Sequence, residues 1–469
     1  MSVQIESPFA APPVAPRSRT AEILQNVIIG LTVSFVALSL GAALGILSGR
    51  GAFAGMISAG LLAFVVSCLG GTRVQCSGPT APMSAVTAVV VAYSHEQLAG
   101  LSLGVQPHHF VNIVLILCGL LLFGMALLRL GRFIALVPNV VISGFMSGIA
   151  LLIWIDQLDV VLGIGGRAAL DGPVWQNAFV ASATLVLIFL MAPLTQKAVG
   201  PVARYLPSTL LAIVIMSWFS DFFHLPVEHV KLSGGLSSIN DLTRLLAAQV
   251  PDHVSLAIVM AALPLALQLS LLCYLDTLLT SLVIDKISGE PTRRDKELVA
   301  QGVANSLTAF VGGIPGAQAT IRSVLMLKEN ATLRLSGIMV GAFVLVEMVL
   351  FQEWIGLIPK AVFVGVLMKV GYDVFDFKPL RLYCKQLTTH RAAMFKNFFS
   401  RRDDERIFVT NREVLMIIGT SAVTVCFNLN IAVAGFTLLF YLHNRVLNRR
   451  NPMRDLKPEL ETDGFAKQN

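Results

Sequence analysis

The feature that most constrains this chain is a series of apolar runs, each about 20 residues long, that recur from one end of the sequence to the other. A run of this length is what an α-helix needs to cross the hydrocarbon core of a bilayer. Hydrophobic residues make up 55% of the chain and charged residues 13%, whereas soluble domains carry roughly 25% charged residues. The sequence therefore predicts an all-α polytopic membrane protein that lies in a lipid bilayer.

We count fourteen apolar segments, in two sets of seven that are separated by a polar stretch at His224–His253. The predicted segments are 25–48, 52–69, 80–95, 109–129, 137–158, 174–195 and 206–223 in the first set, and 256–284, 297–311, 317–327, 335–352, 355–375, 412–428 and 431–447 in the second. We assign residues 25–223 to a first repeat and residues 256–447 to a second repeat. Residues 1–24 are expected to form a disordered cytoplasmic arm, and residues 448–469 a short cytoplasmic tail.

The distribution of Lys and Arg predicts the orientation of the chain. The loops after even-numbered segments are the basic ones, and the largest of them, Phe377–Asn411, contains Lys378, Arg381 and Arg401 among other cations. The loops after odd-numbered segments contain few cations. Because cytoplasmic loops concentrate Lys and Arg, both termini are predicted to be cytoplasmic, in the cell inner (plasma) membrane. The excess of Lys and Arg in the predicted cytoplasmic loops then accounts for the net charge of +7. We therefore expect no nucleic-acid partner.

The two sets of segments predict an inverted repeat with two half-helices. Seven is an odd number, so the second set must enter the membrane from the opposite side. A Gly/Pro break precedes the third segment of each set, at Gly70–Pro82 and at Gly312–Thr320. Such breaks mark the broken helices of transporters, although Gly and Pro also occur where membrane helices only pack tightly or kink. Their symmetric placement favours two half-helices that begin near Thr80 and Ala317 and face each other at mid-membrane.

Two half-helix starts that face each other are suited to holding an anion. The first N–H groups of a helix lack an intrahelical acceptor, and the N-terminus carries a partial positive charge. Such ends at Thr80–Ser84 and Ala317–Ile321 would form an anion cradle. Small residues would let an anion approach the N–H groups, and neutral side chains would add hydrogen bonds. The candidates are Gly78, Thr80, Ala81, Gly316, Ala317, Gln318 and Thr320.

An acidic residue, Asp276, lies inside the apolar eighth segment, where a charge is costly and by default marks a functional site. Thr280 follows four residues later and therefore lies on the same helical face. A carboxylate, a hydroxyl and nearby backbone carbonyls suit a hard cation. An ion pair between Asp276 and Arg322 of the tenth segment, which would serve helix packing, is the alternative. Glu347 is a further intramembrane acid that we expect to face the bundle interior, without an assigned role.

The sequence contains no nucleophile–base set, P-loop or dinucleotide fingerprint, so nothing in it supports an enzyme or an ATP-driven pump. Its six cysteines are scattered without metal-ligand spacing and are predicted to be small packing residues. We therefore expect no cofactor other than a coupling ion.

The residues around the two breaks resemble those of the sulfate permease (SulP) family of anion transporters. QCSGPTAPM (Gln75–Met83) is similar to the third-segment signature of that family, and YLDTLLTSLVIDKISG with ELVAQGVANSLTAFVGGIPGAQATIRSV is similar to its block from the eighth to the tenth segment. Val137–Leu151 and Ile358–Asp376 resemble its fifth and twelfth segments. The resemblance covers residues 25–447. It implies fourteen segments, with a core of segments 1–4 and 8–11 and a gate of segments 5–7 and 12–14.

Within the family the chain resembles the cyanobacterial sodium-dependent bicarbonate transporters. This resemblance implies that sodium, as the coupling ion, is held by Asp276 and Thr280. It implies that the anion is held at the half-helix starts, by Ala81, Gly316, Ala317 and Gln318, with Arg322 matching the tenth-segment arginine of the wider family.

The resemblance thus predicts a secondary active symporter that moves bicarbonate or a similar small inorganic anion by alternating access. The alternative within the same fold is proton-coupled uptake of sulfate or a dicarboxylate. An anion channel or a non-transporting membrane scaffold is the alternative from another class. Most family members carry a cytoplasmic STAS domain after the last segment, whereas this sequence has a polar tail there, so we expect no STAS domain in it. Family members are often dimers, which leaves a homodimer as an option.

Overall fold

The computed structural model describes residues 19–96, 104–164, 170–199, 208–230, 239–251, 253–389, 409–427 and 429–447, with residues 449, 452–453 and 455–456. The described chain is mostly helical, as predicted. The predicted N-terminal arm and the predicted tail lie largely outside the described residues.

Helices lie at all seven segments predicted for the first repeat. Their bounds are α1 Arg19–Leu47, α2 Ala52–Leu69, α3 Ala81–Glu96, α4 Pro107–Leu127, α5 Asn139–Leu162, α6 Val174–Val199 and α7 Ser208–Phe222, with a 3₁₀ helix at Leu130–Leu136 between α4 and α5.

The rest of the described chain contains ten helices, and seven of these lie at the segments predicted for the second repeat. Their bounds are α8 Ile239–Gln249, α9 Leu256–Ser288, α10 Arg294–Phe310, α11 Thr320–Lys328, α12 Leu335–Leu350, α13 Gln352–Gly356, α14 Lys360–Val374, α15 Phe377–Thr389, α16 Asn411–Cys426 and α17 Leu429–Leu442, followed by a π-helical turn at His443–Leu447.

Two helices correct the sequence-based description of the loops. α8 lies in the stretch that was treated as polar, and α15 lies in the large basic loop. Both helices are amphipathic, so neither contains the continuous apolar run by which the membrane segments were recognised. α8 is attached to the helices around it through Gln249, whose backbone oxygen and side-chain Oε1 accept hydrogen bonds from Asn112 Nδ2 at 2.8 and 3.0 Å.

Helix length shows which of the described helices could cross a bilayer. Six helices are long and apolar enough to cross a bilayer, namely α1, α2, α4, α5, α6 and α9. α11 has 9 residues, which at about 1.5 Å per residue is less than half of the hydrocarbon thickness. It cannot cross a membrane by itself, in agreement with the prediction of a half-helix in this part of the chain.

The described chain divides into two compact units. The first contains α1–α4 and α6–α13, and the second contains α5 and α15–α17, with the division falling inside α14. In the first unit α12 packs against both α1 and α2, and α10 packs against α4 and α2. In the second unit α5 packs against α16. α6 and α7 belong to the first unit, because they pack on each other and α7 contacts α1.

Polar contacts join α1 to α12 and to the loop before it. Asn26 Oδ1 accepts hydrogen bonds from the backbone N–H groups of Thr332 and Leu333 at 3.1 and 3.0 Å. α1 begins six residues before the predicted segment, and Glu22 in this added part accepts a hydrogen bond from Thr332 Oγ1 at 2.6 Å. Ser34 Oγ of α1 donates to Glu347 Oε1 at 2.5 Å, and Glu347 is 4% exposed. The prediction that Glu347 faces the interior is confirmed, with its partner on α1.

Candidate functional site

The two Gly/Pro breaks meet inside the first unit as a two-residue antiparallel sheet. Its strands are β1, Ser77–Gly78, and β2, Ala317–Gln318. α3 begins at Ala81, shortly after β1, and α11 begins at Thr320, shortly after β2. The two helix starts therefore leave from one small sheet, and the breaks that were predicted to act together lie side by side.

The second half-helix begins at Thr320 rather than at Ala317, which corrects the predicted boundary. Ala317 and Gln318 pair with the first break, so their backbone is extended and cannot take helical geometry. The first helical hydrogen bond of α11 runs from the Ser323 N–H to the Ala319 carbonyl oxygen at 3.0 Å. The N–H groups that α11 offers to a ligand are consequently those of its own first turn, from Thr320 onward.

Gly316 allows the two breaks to cross at close range. A Cβ at this position would lie 2.2 Å from the carbonyl oxygen of Gly78 and 2.6 Å from Leu62 Cδ1. Asn305 of α10 holds the same residue in place, because its Oδ1 accepts from the Gly316 N–H at 2.8 Å and its Nδ2 donates to the Gly316 oxygen at 3.0 Å. The missing side chain of Gly316 permits this contact between two backbones, and its role in anion access stays a prediction.

α9 contacts both half-helix starts through two residues that are four apart. Thr80, immediately before α3, donates to Asp276 Oδ2 at 2.7 Å. One turn further along α9, Thr280 Oγ1 lies 2.5 Å from Oγ1 of Thr320, the first residue of α11. The pair predicted to share a helical face thus points to the place where the half-helices begin. One carboxylate and three hydroxyls lie along this face, and the sequence analysis had assigned only two of them to a cation.

The carboxylate of Asp276 is partly exposed and is not paired with a cationic side chain among the described residues. Asp276, Thr80 and Thr320 are partly exposed, whereas Thr280 is buried. Within the part of the chain that the structure describes, Asp276 forms no ion pair with a Lys, Arg or His side chain. The group can therefore interact with a cation that enters from the exposed side.

Arg322 lies beneath the first break. It is 2% exposed, and its Nη2 donates to the carbonyl oxygen of Pro79 at 3.0 Å, while its buried Nη1 has no hydrogen-bond partner. A Cβ on Gly78 would lie 2.8 Å from both Nη atoms, so the guanidinium packs directly against β1. This contact replaces the ion pair with Asp276 that we considered as the alternative. A buried cation with an unused N–H group in the first turn of α11 adds positive charge near the helix starts.

The side chain of Gln318 is occupied by the protein itself. Ser281 Oγ donates to Gln318 Oε1 at 2.7 Å, and Gln318 Nε2 donates to Thr72 Oγ1 at 3.4 Å. Its backbone N–H donates to Thr277 Oγ1 at 3.3 Å. Gln318 therefore links the two breaks to α9, and a contact between its amide and an anion would require these hydrogen bonds to open.

A polar stripe on α10 was missed by the sequence analysis. Glu297, Gln301 and Asn305 recur every four residues, so they lie on one helical face, and all three are fully buried. Each of them bonds to one of the two breaks, with partners at Gly71 and Thr72 for Glu297, at Ser77 for Gln301 and at Gly316 for Asn305. The i, i+4, i+8 spacing of three polar residues, in a helix whose other residues from Leu298 onward are mostly small or apolar, was the signal that could have found them.

The donor set limits the kind of ion that this site could hold. Among the described residues no group of three or more His, Cys, Asp or Glu side chains is placed to bind a metal. One carboxylate with several hydroxyl oxygens suits a hard cation of low charge, since transition metals prefer nitrogen and sulfur ligands. All six cysteines are free, and Cys76, Cys118 and Cys273 are buried.

Comparison with known proteins finds relatives over most of the chain. The profile described as the sulfate permease family matches residues 23–390. The bicarbonate transporter BicA of Picosynechococcus sp. is 32% identical over 369 residues, covering 75% of this chain and 62% of the relative, so the chain spans about three fifths of that protein. The putative sulfate transporter YvdB of Bacillus subtilis is 27% identical over 436 residues, covering 89% of this chain and 73% of the relative.

Solved structures show the same fold. The transmembrane domain of a cyanobacterium bicarbonate transporter BicA superposes with a TM-score of 0.70 and 26% identity, covering 89% of this chain and 99% of that one. SLC26A9 gives a TM-score of 0.66 at 15% identity, covering 91% and 66% of the two chains, which shows a shared fold. The relatives described as transporters agree with the prediction that the chain is not an enzyme. The family match over most of the chain and the two breaks that meet beside α9 lead to one conclusion: this protein belongs to the sulfate permease family of anion transporters.

Proposed function

We propose that this protein is a secondary active transporter that carries bicarbonate, or a similar small inorganic anion, together with sodium by alternating access. The observation that carries the proposal is the double contact of α9 with the half-helix starts, Thr80 with Asp276 and Thr280 with Thr320. A cation on α9 and an anion at the helix starts would lie on two sides of the same contacts. Binding of one ion would then change the affinity of the protein for the other ion.

The anion would be held between the starts of α3 and α11. The N–H groups of Ala81 and of the first turn of α11 point their partial positive charge to this place. Arg322 supplies a full positive charge close to it. Thr80 and Ala317 border the same place from the two breaks. The likeness to a bicarbonate transporter supports bicarbonate as the substrate.

Sodium, as a transported co-substrate, would be held by Asp276 and Thr280, with Thr80 and Thr320 as further oxygen donors. The ion would neutralise a carboxylate that has no ion pair among the described residues, and it would thereby strengthen the positive potential at the helix starts. Each ligand should raise the affinity of the other by the same factor, because coupling between two sites is reciprocal.

With this function we expect the chain to lie in the cell inner membrane, with both termini in the cytoplasm. The core of segments 1–4 and 8–11 and the gate of segments 5–7 and 12–14, which the resemblance implies, stay predictions. We propose that the fourteen predicted segments form the inverted repeats 25–223 and 256–447. Helices at every predicted segment and breaks at matching places support this arrangement. A homodimer stays a prediction, to be tested by the mass of the purified protein in detergent.

The decisive experiment measures uptake of labelled bicarbonate by proteoliposomes with and without a sodium gradient. Asp276→Asn keeps the shape but removes the charge, so sodium dependence should vanish and uptake should collapse. Thr280→Val should raise the half-saturating sodium concentration about fivefold, because a lost hydroxyl ligand costs about 1 kcal/mol. Ser270→Ala is the matched control, since its buried hydroxyl on the same helix bonds, among the described residues, only to the Leu267 oxygen of that helix. It should leave sodium dependence unchanged.

Proton-coupled uptake of sulfate is the second candidate, and the likeness to a putative sulfate transporter favours it. It predicts uptake that is equal in sodium and in choline and that rises steeply at low external pH. That result in the wild-type protein would overturn the assignment of Asp276 as a sodium ligand. A channel, in contrast, would not accumulate any anion against its gradient.

A further inference from the structure

A basic cavity of about 630 Å³ lies in the first unit and shares no lining residue with the half-helix starts. Its wall is formed by three separate stretches of chain, which include Gly71 and Arg73, Arg293 and Lys296, and Leu333 and Arg334. These stretches lie before α3, at the start of α10 and before α12. They follow the even-numbered segments, whose loops are predicted to be cytoplasmic.

The cavity has an excess of positive charge. Four of its lining side chains are cations and none is an acid. Arg73 pairs with Glu290 at 2.7 Å, but both side chains are about half exposed, so this pair contributes little. Arg334 Nη1 donates to the Ser67 carbonyl oxygen at 3.3 Å, and Arg334 forms no ion pair with a described residue. Arg293 and Lys296 are exposed and form no ion pair within the described residues.

Buried hydrogen bonds hold the wall of the cavity in shape. Glu297 Oε2, on the inner side of α10, accepts from the N–H groups of Gly71 and Thr72 at 2.7 and 3.0 Å. Thr72 Oγ1 lies 3.1 Å from Thr292 Oγ1. These contacts tie the first break to the start of α10, so cations from different parts of the sequence are kept around one space. A charged loop that served orientation alone would not need this arrangement.

We propose that this cavity binds a multiply charged, phosphate-bearing anion at the predicted cytoplasmic face. Guanidinium groups match the geometry of phosphate oxygens, and several cations around one space suit a ligand with more than one negative charge. The headgroup of an anionic lipid and a soluble polyphosphate present the same oxygens to such a site. The site is separate from the proposed transport site and does not depend on which anion is transported.

The test uses the full chain with two probes. In detergent, inorganic pyrophosphate is titrated and the melting temperature is recorded, because a ligand that binds only the folded form raises it by mass action. In nanodiscs, phosphatidylcholine alone is compared with phosphatidylcholine that contains phosphatidylglycerol. Stabilisation by pyrophosphate identifies a soluble anion as the ligand. Stabilisation only by phosphatidylglycerol identifies a lipid headgroup.

The double variant Arg293→Gln with Lys296→Gln should weaken binding of the stabilising probe by roughly tenfold or more, since charge-assisted hydrogen bonds are lost. The matched control, Arg132→Gln with Arg381→Gln, removes two exposed cations from the same predicted side but outside the cavity, and should leave binding unchanged. Lys296→Gln alone, at an exposed position, repeats the test if the double variant folds poorly. Equal weakening in the cavity and control variants, or no stabilisation by either probe, would overturn the proposal.

Discussion

Replacing Gly316 by alanine would place a methyl group where the two breaks cross. The added Cβ would lie 2.2 Å from the carbonyl oxygen of Gly78 and 2.4 Å from its carbonyl carbon. Ordinary van der Waals contact begins at 3.4 Å, so one break would have to move by about 1.2 Å, the difference between 3.4 and 2.2 Å. Both contacted atoms belong to the backbone, and no side-chain rotation can relieve the overlap.

The displacement should reduce transport more than it reduces stability. The strands that would separate lead directly into α3 and α11, so both half-helix starts would shift. A misplacement of about 1 Å can cost a functional site roughly 100-fold in rate, and we expect anion uptake to fall by about that factor. Overpacking of a well-packed interior typically costs about 1–3 kcal/mol, so the variant should still fold.

The assay compares uptake by proteoliposomes at equal protein content with the melting temperature of the purified protein. Gly124→Ala in α4 is the matched control, because a Cβ at that position would meet no described atom within 4 Å outside the adjacent backbone of its own helix. The control should retain wild-type uptake. Uptake by Gly316→Ala within twofold of the control would refute the argument that the crossing of the two breaks sets the geometry of the site.

Two further substitutions test the residues around that crossing. Arg322→Ala should lower anion uptake by roughly tenfold or more, whereas Arg322→Lys should retain part of it, because the charge survives without the planar donor fork; unchanged uptake in both variants would assign Arg322 to packing. Asn305→Ala should lower the melting temperature, because it leaves the N–H of Gly316 without its partner at about 1–3 kcal/mol and leaves the Gly316 oxygen with the weaker Cys273 thiol donor. A melting temperature equal to that of the wild type would show that the Asn305 contact is dispensable.

The positions of the helices could be predicted from the sequence because a bilayer leaves the backbone few choices. A segment in lipid must satisfy its own N–H and carbonyl groups, so an apolar run of sufficient length becomes a helix. All fourteen segments predicted in this way correspond to helices. α8 and α15 were missed because an amphipathic helix has no such run, and its formation depends on the surface that it packs against.

The two breaks and the face of α9 were also predictable, because both follow from local rules. Gly and Pro interrupt a helix wherever they cluster, and residues four apart share a helical face. Asp276 and Thr280 could therefore be selected from their spacing alone. Their partners could not be selected, since Thr80 is 196 residues from Asp276 and Thr320 is 40 residues from Thr280.

The sequence by itself determined where the fourteen apolar segments lie, where two helices are interrupted and which acid lies among apolar neighbours, since each of these depends on residues close together in the chain. The tertiary structure alone decided how the breaks meet. Antiparallel pairing of β1 with β2 delayed the start of α11 to Thr320 and brought Gly316 against the backbone of Gly78. The same pairing left the amide of Gln318 bonded to Ser281 and Thr72. The start of α11 and these contacts depend on the register between two stretches that are far apart in the sequence. No local propensity encodes that register.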